Sequence, residues 1–464
     1  MARPISLYNT MSRSVEPLVP LTGDRVAIYT CGPTVYNNQH VGNYRTYIYE
    51  DVLVKTLRFF GYEVDRVMNI TDVGHLTSDE DEGEDKMEVG ARREGLTAWD
   101  VAKRYEGIFL ADLDQLHIER PTRLIRATDT ITQQVAFIKG LEEKGLTYTI
   151  EDGVYFDSSK VSDYGRLARL DLEGLQAGAR VEMAEGKRRV TDFALWKFSR
   201  PPGKRDMEWE SPWGTGFPGW HIECSAIIRD QLGDEIDIHC GGTDHIPVHH
   251  VNEIAQSESL TGKPLAKEWL HTDFLLVDGG KMSKSLGNFY TVADLVERKI
   301  DPLAFRIFTY SAGYRSKLNF TWEAIEAAQK SLERLRRLTA DLPEKGATGP
   351  DVESLIERGS AALADDLNTS QLMAVIWEAF QSDLEPAGKR MVVESFEPIL
   401  SLGLGGTYEA PSMTVPENVR ELAQQRDVAR TAREWEVADQ LRLEIEKAGY
   451  AVRDSEGVGQ VYPL

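Results

Sequence analysis

Two short segments carry side chains suited to handling phosphate. His40-Val41-Gly42-Asn43 follows a turn-rich stretch, Cys31-Gly32-Pro33-Thr34, and precedes a helical pattern. Backbone N–H groups at a helix start favour phosphate. A glycine there lets a nucleotide base approach closely. An imidazole donor can stabilise charge that builds on an α-phosphate. A histidine and a glycine in a surface turn are commonplace, so this segment alone is a weak signal. Lys281-Met282-Ser283-Lys284-Ser285 is more specific. Gly279-Gly280 precede it and Gly287 follows, so the loop can move. Two lysines just beyond a flexible joint can close on β- and γ-phosphates and on departing pyrophosphate.

A third set is scattered. Cys31 follows the first predicted strand, and Cys224 lies in Gly219-Trp220-His221-Ile222-Glu223-Cys224. His249 and Glu253 are four apart on a predicted helix, so they share one face. Two thiolates, an imidazole and a carboxylate form a zinc-type donor set. Each member also has a plainer reading. Three sparse cysteines, Cys31, Cys224 and Cys240, are a poor disulfide framework and can be buried thiols. A His–Glu pair at this spacing is often an exposed polar face.

The elements that must position these residues follow from periodicity. Val26–Thr30 reads as a buried strand. Ile48, Val52, Leu53, Leu57 and Phe60 fall at helical spacing, with Gly61 as a stop, and 64–69 reads as a second strand. Strand, loop, helix, strand opens a doubly wound α/β domain with a parallel sheet. The run 79–85 is acidic and reads as a solvated loop. Residues 97–146 read as mostly helical. Residues 153–219 are rich in glycine, proline and charge, with Trp196, Trp209 and Trp213, and read as an insertion. A helix from Gly219, a strand with Ile236 and Ile238 alternating, a helix over 249–257 and a strand over 272–277 resume the domain. From Val292 onward the pattern is helical: 323–342, 352–367 and 370–380 are predicted helices. Residues 403–416 read as a linker, 419–447 as a helical pair, and the rest as a short tail.

Composition bounds the answer. A chain of 464 residues exceeds one ordinary core, so two to four domains are expected. With 41% hydrophobic and 28% charged residues, it has the balance of a soluble globular protein. No apolar run can span a bilayer. No secretory signal is legible near Met1, so a cytoplasmic location is expected. The net charge of −22 argues mildly against nucleic acid, which would need local basic patches or stacking.

The pair formed by the His40 segment and the lysine loop resembles the signatures of class I aminoacyl-tRNA synthetases. The first is usually His-Ile-Gly-His, and Asn43 stands here in its last place. The wider chain resembles the cysteinyl-tRNA synthetase family over nearly its whole length. The matching segments include Thr30-Cys31-Gly32-Pro33-Thr34-Val35-Tyr36, Asn69-Ile70-Thr71-Asp72-Val73, Gly219 to Ser225, Asp237-Ile238-His239, His249-His250 and Asn252-Glu253-Ile254-Ala255-Gln256. Asp365-Asp366-Leu367-Asn368-Thr369 resembles the family's helical bundle, and Arg430, Ala438-Asp439 and Arg442 its C-terminal RNA-binding region.

The resemblance implies a Rossmann-like α/β catalytic domain over 1–290 with an insertion over about 118–215, a stem-contact helical region over 291–345, a helical bundle over 346–405 and a small tRNA-binding domain over 414–464. It implies that Cys31, Cys224, His249 and Glu253 hold one zinc ion, and that the substrate thiolate ligates it. Thr71, Trp220 and His239 would line the cysteine pocket. ATP, with Mg²⁺, would meet His40, Gly42, Asn43, Asp244 and Lys284, with His40, Lys281 and Lys284 catalytic. L-cysteine, ATP and a cysteine-specific tRNA are the implied partners, with no membrane, and a monomer is expected.

Two departures from the family pattern are Val251, where the family often has Glu, and Cys240, where it commonly has Gly. Cys240 could compete with Glu253 for a metal. Arg426, Arg430 and Arg433 fall on one helical face and suit either a phosphate backbone or salt bridges with acids such as Asp427 and Glu434. Residues 414–464 hold seven Lys/Arg and ten Asp/Glu, so RNA binding there rests on resemblance. Two rival readings are a ligase that passes cysteine to an amino sugar and a non-catalytic RNA-binding protein. The helical C-terminal part argues against the first, and the intact signatures against the second.

Overall fold

A computed structural model describes residues 3–74, 76, 85–170, 185–282, 287–404, 417–432, 434–448, 450–455 and 458–463. Its centre is a five-stranded, all-parallel sheet of β1 (Arg25–Thr30), β2 (Glu63–Ile70), β3 (Arg123–Arg126), β4 (Ile236–Gly242) and β5 (Ala266–Thr272), in the order 5-4-1-2-3. The three inner strands are buried along most of their length, as expected of a parallel sheet with both faces covered. Alternate side chains feed separate cores. Ile28, Met68, Ile238 and Leu270 join a core with the helix α1 (Val41–Phe59). Tyr29, Val67 and Trp269 join another with Ile227 and Ile254, from the helices Ile222–Gln231 and Val251–Thr261.

The strand order reverses between β1 and β4. In such a sheet ligands bind at the carboxyl ends of the strands flanking that point. Cys31 is the residue after β1, and His239 and Cys240 lie in β4, so the candidate donors gather there.

The parallel strand β3 lies within 97–146, a stretch whose pattern reads as mostly helical. It also lies inside the span 118–215 read as an insertion, yet it extends the central sheet beside β2. Four residues with an arginine at each end, Arg-Leu-Ile-Arg, are too short to register against the flanking helices Ala98–Gln115 and Ile131–Glu143. Four antiparallel strands, Thr147–Ile150, Gly153–Phe156, Phe193–Phe198 and Gly216–Pro218, form a separate small sheet. Trp196 is fully buried there.

In the acidic run, Asp79–Glu84 lies outside the described residues, but Asp85 is no solvated loop residue. It is buried, caps the helix Lys86–Glu94 by accepting the Met87 N–H (2.7 Å), and pairs with Arg205. The strand expected over 272–277 is split. The central strand β5 ends at Thr272, and Leu275–Val277 starts a three-stranded sheet with Gly280–Lys281 and Leu318–Phe320.

Helices Trp322–Ala340, Pro350–Ala364, Thr369–Gln381 and Pro386–Leu400 follow. Arg306 holds this region to the α/β domain. Fully buried, it pairs with Asp51 of α1 (2.5 Å) and donates to the carbonyls of Leu116, His117 and Leu400. Two helices, Glu417–Thr431 and Trp435–Lys447, pack with an antiparallel hairpin, Tyr450–Ser455 with Val458–Pro463, in the stretch that reads as a short tail. Arg426 is buried against Asp427, so it is not on a free basic face; Arg433 lies outside the described residues. Among the described residues no helix is long and apolar enough to cross a membrane.

Candidate active site

His40 is the N-cap of α1. The Asn43 N–H donates to His40 Nδ1 (3.1 Å), and the His40 N–H donates to Asn43 Oδ1 (3.2 Å), closing a capping box. An Nδ1 that accepts leaves the ring proton on Nε2. Asn43 therefore fixes the tautomer in which His40 offers an N–H donor from the far side of its ring. A Cβ on Gly42 would stand 2.9 Å from two atoms of that ring, so glycine is needed for the imidazole as well as for any nucleotide.

A tight hairpin precedes the lysine loop. Asp278 and Gly279 both have positive φ, 49° and 77°, and join Leu275–Val277 to Gly280–Lys281. Asp-Gly is a favoured pair for such a two-residue turn. Asn319 clasps it, its Oδ1 accepting the Gly279 N–H (2.7 Å), and the Asp278 N–H donates to the Phe320 carbonyl (3.1 Å). The side chain of Lys281 and residues 283–286, Lys284 among them, lie outside what the structure describes.

The two signatures converge. The Val41 N–H donates to the Tyr290 carbonyl (2.8 Å), and the His40 ring meets Phe289 edge-on with centroids 5.2 Å apart. Arg45, one turn into α1, is buried and donates to the carbonyls of Asp273, Phe274, Gly313 and Ser316 (2.5–3.1 Å). One guanidinium thus ties the helix begun by His40 to the segment that leads into the lysine loop. His40, Gly42, Asn43, Met282 and Phe289 all line one open cavity of about 770 Å³.

The opposite wall holds the thiols. Cys31, Cys224 and His249 line the same cavity, and their donor atoms lie within 4.8 Å of one another. Glu253 sits beneath, outside the cavity wall, with Oε2 3.3 Å from His249 Nε2 and 3.2 Å from His239 Nε2. Cys31, His239, His250 and Glu253 form a second overlapping group within the same 4.8 Å span. All are buried. Glu253 Oε2 has no hydrogen-bond partner, an arrangement a cation would relieve. Burial pushes the Cys31 thiol well up and the Cys224 thiol to about 12, so without a positive ion both stay protonated. Soft sulfur, imidazole and carboxylate together fit zinc.

A π-type turn over Ile246–His250, just before the helix Val251–Thr261, turns both His249 and His250 inward. His250 Nδ1 lies 2.7 Å from His271 Nε2, whose Nδ1 is 2.8 Å from Thr10 Oγ1. His221 Nδ1 is 2.8 Å from His249 Nδ1. His221 holds this place at φ 88°, in the left-handed region a side chain adopts only when its surroundings require it.

Of the other residues singled out by sequence, Thr71, Trp220 and Asp244 line the cavity. The Trp220 ring stacks on His249 with centroids 5.3 Å apart, and the Asn69 amide donates to Thr71 Oγ1 (2.9 Å). His239 does not line the cavity. It is fully buried, stacked on Trp269 at 4.6 Å and bonded to Glu253. Cys240 belongs to neither donor group; it faces away, into a small void with Glu50, Tyr314 and Leu367. His250, His271, His221, Asn69 and Arg45 went unassigned by sequence. One signal was available for the first three: six of the nine histidines fall between positions 221 and 271.

Residues 17–330 match the sequence profile of the class I (C) tRNA synthetase catalytic domain, and residues 414–461 match the cysteinyl-tRNA ligase anticodon-binding domain. Fold and signatures thus define a class I aminoacyl-tRNA synthetase. Cysteine–tRNA ligase 1 of Burkholderia lata is 50% identical over 453 residues, covering 97% of this chain and 95% of that protein. The cysteine–tRNA ligase of Novosphingobium aromaticivorans is 39% identical over 482 residues, covering 99% and 97%. The chain belongs to the cysteine–tRNA ligase family. Among solved structures, the Mycobacterium tuberculosis methionyl-tRNA synthetase with methionyl-adenylate superposes with a TM-score of 0.54 at 16% identity, over 82% of this chain and 90% of that one. The Agrobacterium radiobacter K84 agnB2 LeuRS–tRNA–LeuAMS complex gives 0.60 at 12%, over 83% and 85%. At these identities the likeness is one of fold.

Proposed function

We propose that the chain activates L-cysteine with ATP and passes it to a cysteine-specific tRNA, with a buried zinc site selecting the substrate thiol. The observation that carries this is the convergence of Cys31, Cys224 and His249 on the cavity that also holds His40 and the root of the lysine loop. In the first step a carboxylate oxygen of cysteine attacks the α-phosphorus of ATP. The bond to the bridging oxygen breaks, and pyrophosphate leaves with the electron pair. In the second, a hydroxyl of the terminal tRNA ribose attacks the acyl carbon, AMP leaves, and the hydroxyl proton passes to solvent or phosphate.

His40 Nε2–H donates to the α-phosphate as negative charge develops. Gly42 and Asn43 give the nucleotide backbone access and hold that tautomer, and Asp244, which lines the cavity, sits near the nucleotide. Lys281 and Lys284 close over the β- and γ-phosphates, which ATP brings in with Mg²⁺. Thr71 and Trp220 flank the amino acid. Cys31, Cys224, His249 and Glu253 would hold zinc, with His239 orienting Glu253 from behind as a positioning residue. Zinc supplies a soft Lewis acid that separates a thiol from the hydroxyl of serine, where shape alone gives only about 1–3 kcal/mol.

Residues 1–290, 291–345, 346–405 and 414–464 serve as catalytic, stem-contact, bundle and anticodon units. The test is cysteine-dependent ATP–pyrophosphate exchange followed by transfer to purified tRNA. Both steps are expected. Exchange without transfer would favour a small acceptor, and no exchange a binding protein.

A further inference from the structure

Phe274 and Lys317 stand side by side at the cavity and take no part in the activation chemistry above. Leu275 pairs with Leu318 in parallel register, so Phe274 and Lys317 enter their two strands together. Both line the cavity. Phe274 is 44% exposed, yet its backbone is fixed on both sides. Its carbonyl accepts from Arg45 (2.9 Å) and from the Leu318 N–H (3.3 Å), and its N–H donates to Asp273 Oδ1 (2.7 Å). A bare ring held still in water is poorly placed for packing and well placed for stacking. Lys317 is exposed, and among the described residues its ammonium has no partner. In a chain of net charge −22, that is an unneutralised cation beside a bare aromatic face at the catalytic cavity.

A flat ring next to a cation matches one unit of single-stranded nucleic acid: the ring stacks on a base of any identity, and the cation meets its phosphate. We propose that Phe274 and Lys317 receive the terminal nucleotide of the tRNA acceptor strand, Phe274 against the base and Lys317 against the phosphate. This rests on the reading of the site as that of a cysteine–tRNA ligase. ATP carries the same base chemistry, but its phosphates are taken by His40 and the lysine loop. A base held at Phe274 with a phosphate at Lys317 therefore fits the RNA end better.

The test measures two steps on the full-length protein with tRNA and its variants Phe274→Ala, Phe274→Trp, Lys317→Ala and Lys317→Arg. Cysteine-dependent pyrophosphate exchange should stay within about two-fold of wild type, because it needs no tRNA. Transfer from preformed adenylate at subsaturating tRNA should fall roughly ten-fold in Phe274→Ala and recover in Phe274→Trp. Lys317→Ala should raise the KM for tRNA and reduce the slope of log affinity against log salt by about 0.7, with Lys317→Arg close to wild type. Unchanged transfer in both alanine variants overturns the proposal. A raised KM for ATP in the exchange assay also overturns it, by giving the pair to the nucleotide substrate. Absence of exchange in the wild-type protein would instead remove the reading on which it rests.

Discussion

The two walls of the cavity are built in opposite ways. The phosphate wall is made of contiguous residues: a helix cap at His40 and a hairpin that launches Lys281. The thiol wall is made of Cys31, Cys224 and His249, from three separate segments of the chain, with Glu253 beneath it, and all four are buried. On the proposed function, the phosphate wall meets charge that develops only as pyrophosphate departs. The ligand sphere proposed for the thiol wall would have to be rigid before the substrate arrives, and its members gather at the switch point of the parallel sheet. The proposed function thereby separates selection from catalysis within one cavity.

This separation can be broken by mutation. Lys284→Ala should slow exchange by about 10²–10³-fold while metal content stays at the wild-type value; a wild-type exchange rate contradicts its role, and lost metal contradicts the division of the walls. His239→Ala should act on the other wall. Freeing Glu253 from its orienting partner should weaken metal affinity about 10–100-fold, read by chelator competition, and an unchanged affinity would leave His239 with packing alone.

A third test addresses the scaffold of the phosphate wall. Asp112 accepts from the Tyr44 hydroxyl (2.7 Å), one turn beyond His40, and burial raises its carboxyl to about 7. A carboxyl held neutral when folded but ionised when unfolded stabilises the fold fully below about pH 4 and loses that contribution as pH rises towards 7. Asp112→Asn should remove this loss, up to about 1.4 kcal/mol per pH unit across the window. Its Tm should therefore gain on wild type from pH 4 to 7, and parallel Tm curves would show that Asp112 ionises freely. The smallest effect belongs to Cys240→Ala, which should leave metal content unchanged; a loss would bring Cys240 into the ligand set.

How far the sequence revealed these walls follows from their construction. The phosphate wall was legible because contiguous motifs survive in one dimension. Even so, the capping role of Asn43 needed coordinates, since a hydrogen bond to a ring nitrogen leaves no trace in spacing. On the thiol wall the His249–Glu253 contact was readable from helical period. Its joining to Cys31 and Cys224 came through family resemblance, because no local pattern links residues brought together by sheet order. The depth of His239 is hidden from sequence for a related reason: alternation along β4 shows that a residue points to one face, not whether it meets the cavity or lies behind another side chain. The strand Arg123–Arg126 escaped because four residues between long helices give too little periodicity, and the break at Asp273-Phe274 because the apolar run 274–277 follows Thr272 after a single charged residue.

The central claim is that a metal held by the thiol wall chooses the substrate. Its most direct test is zinc content measured beside cysteine- and serine-dependent pyrophosphate exchange, before and after chelation. The predicted result is about one zinc per chain, exchange with cysteine far above serine, and loss of the cysteine preference when the metal is removed. Undiminished preference in zinc-free protein would contradict it.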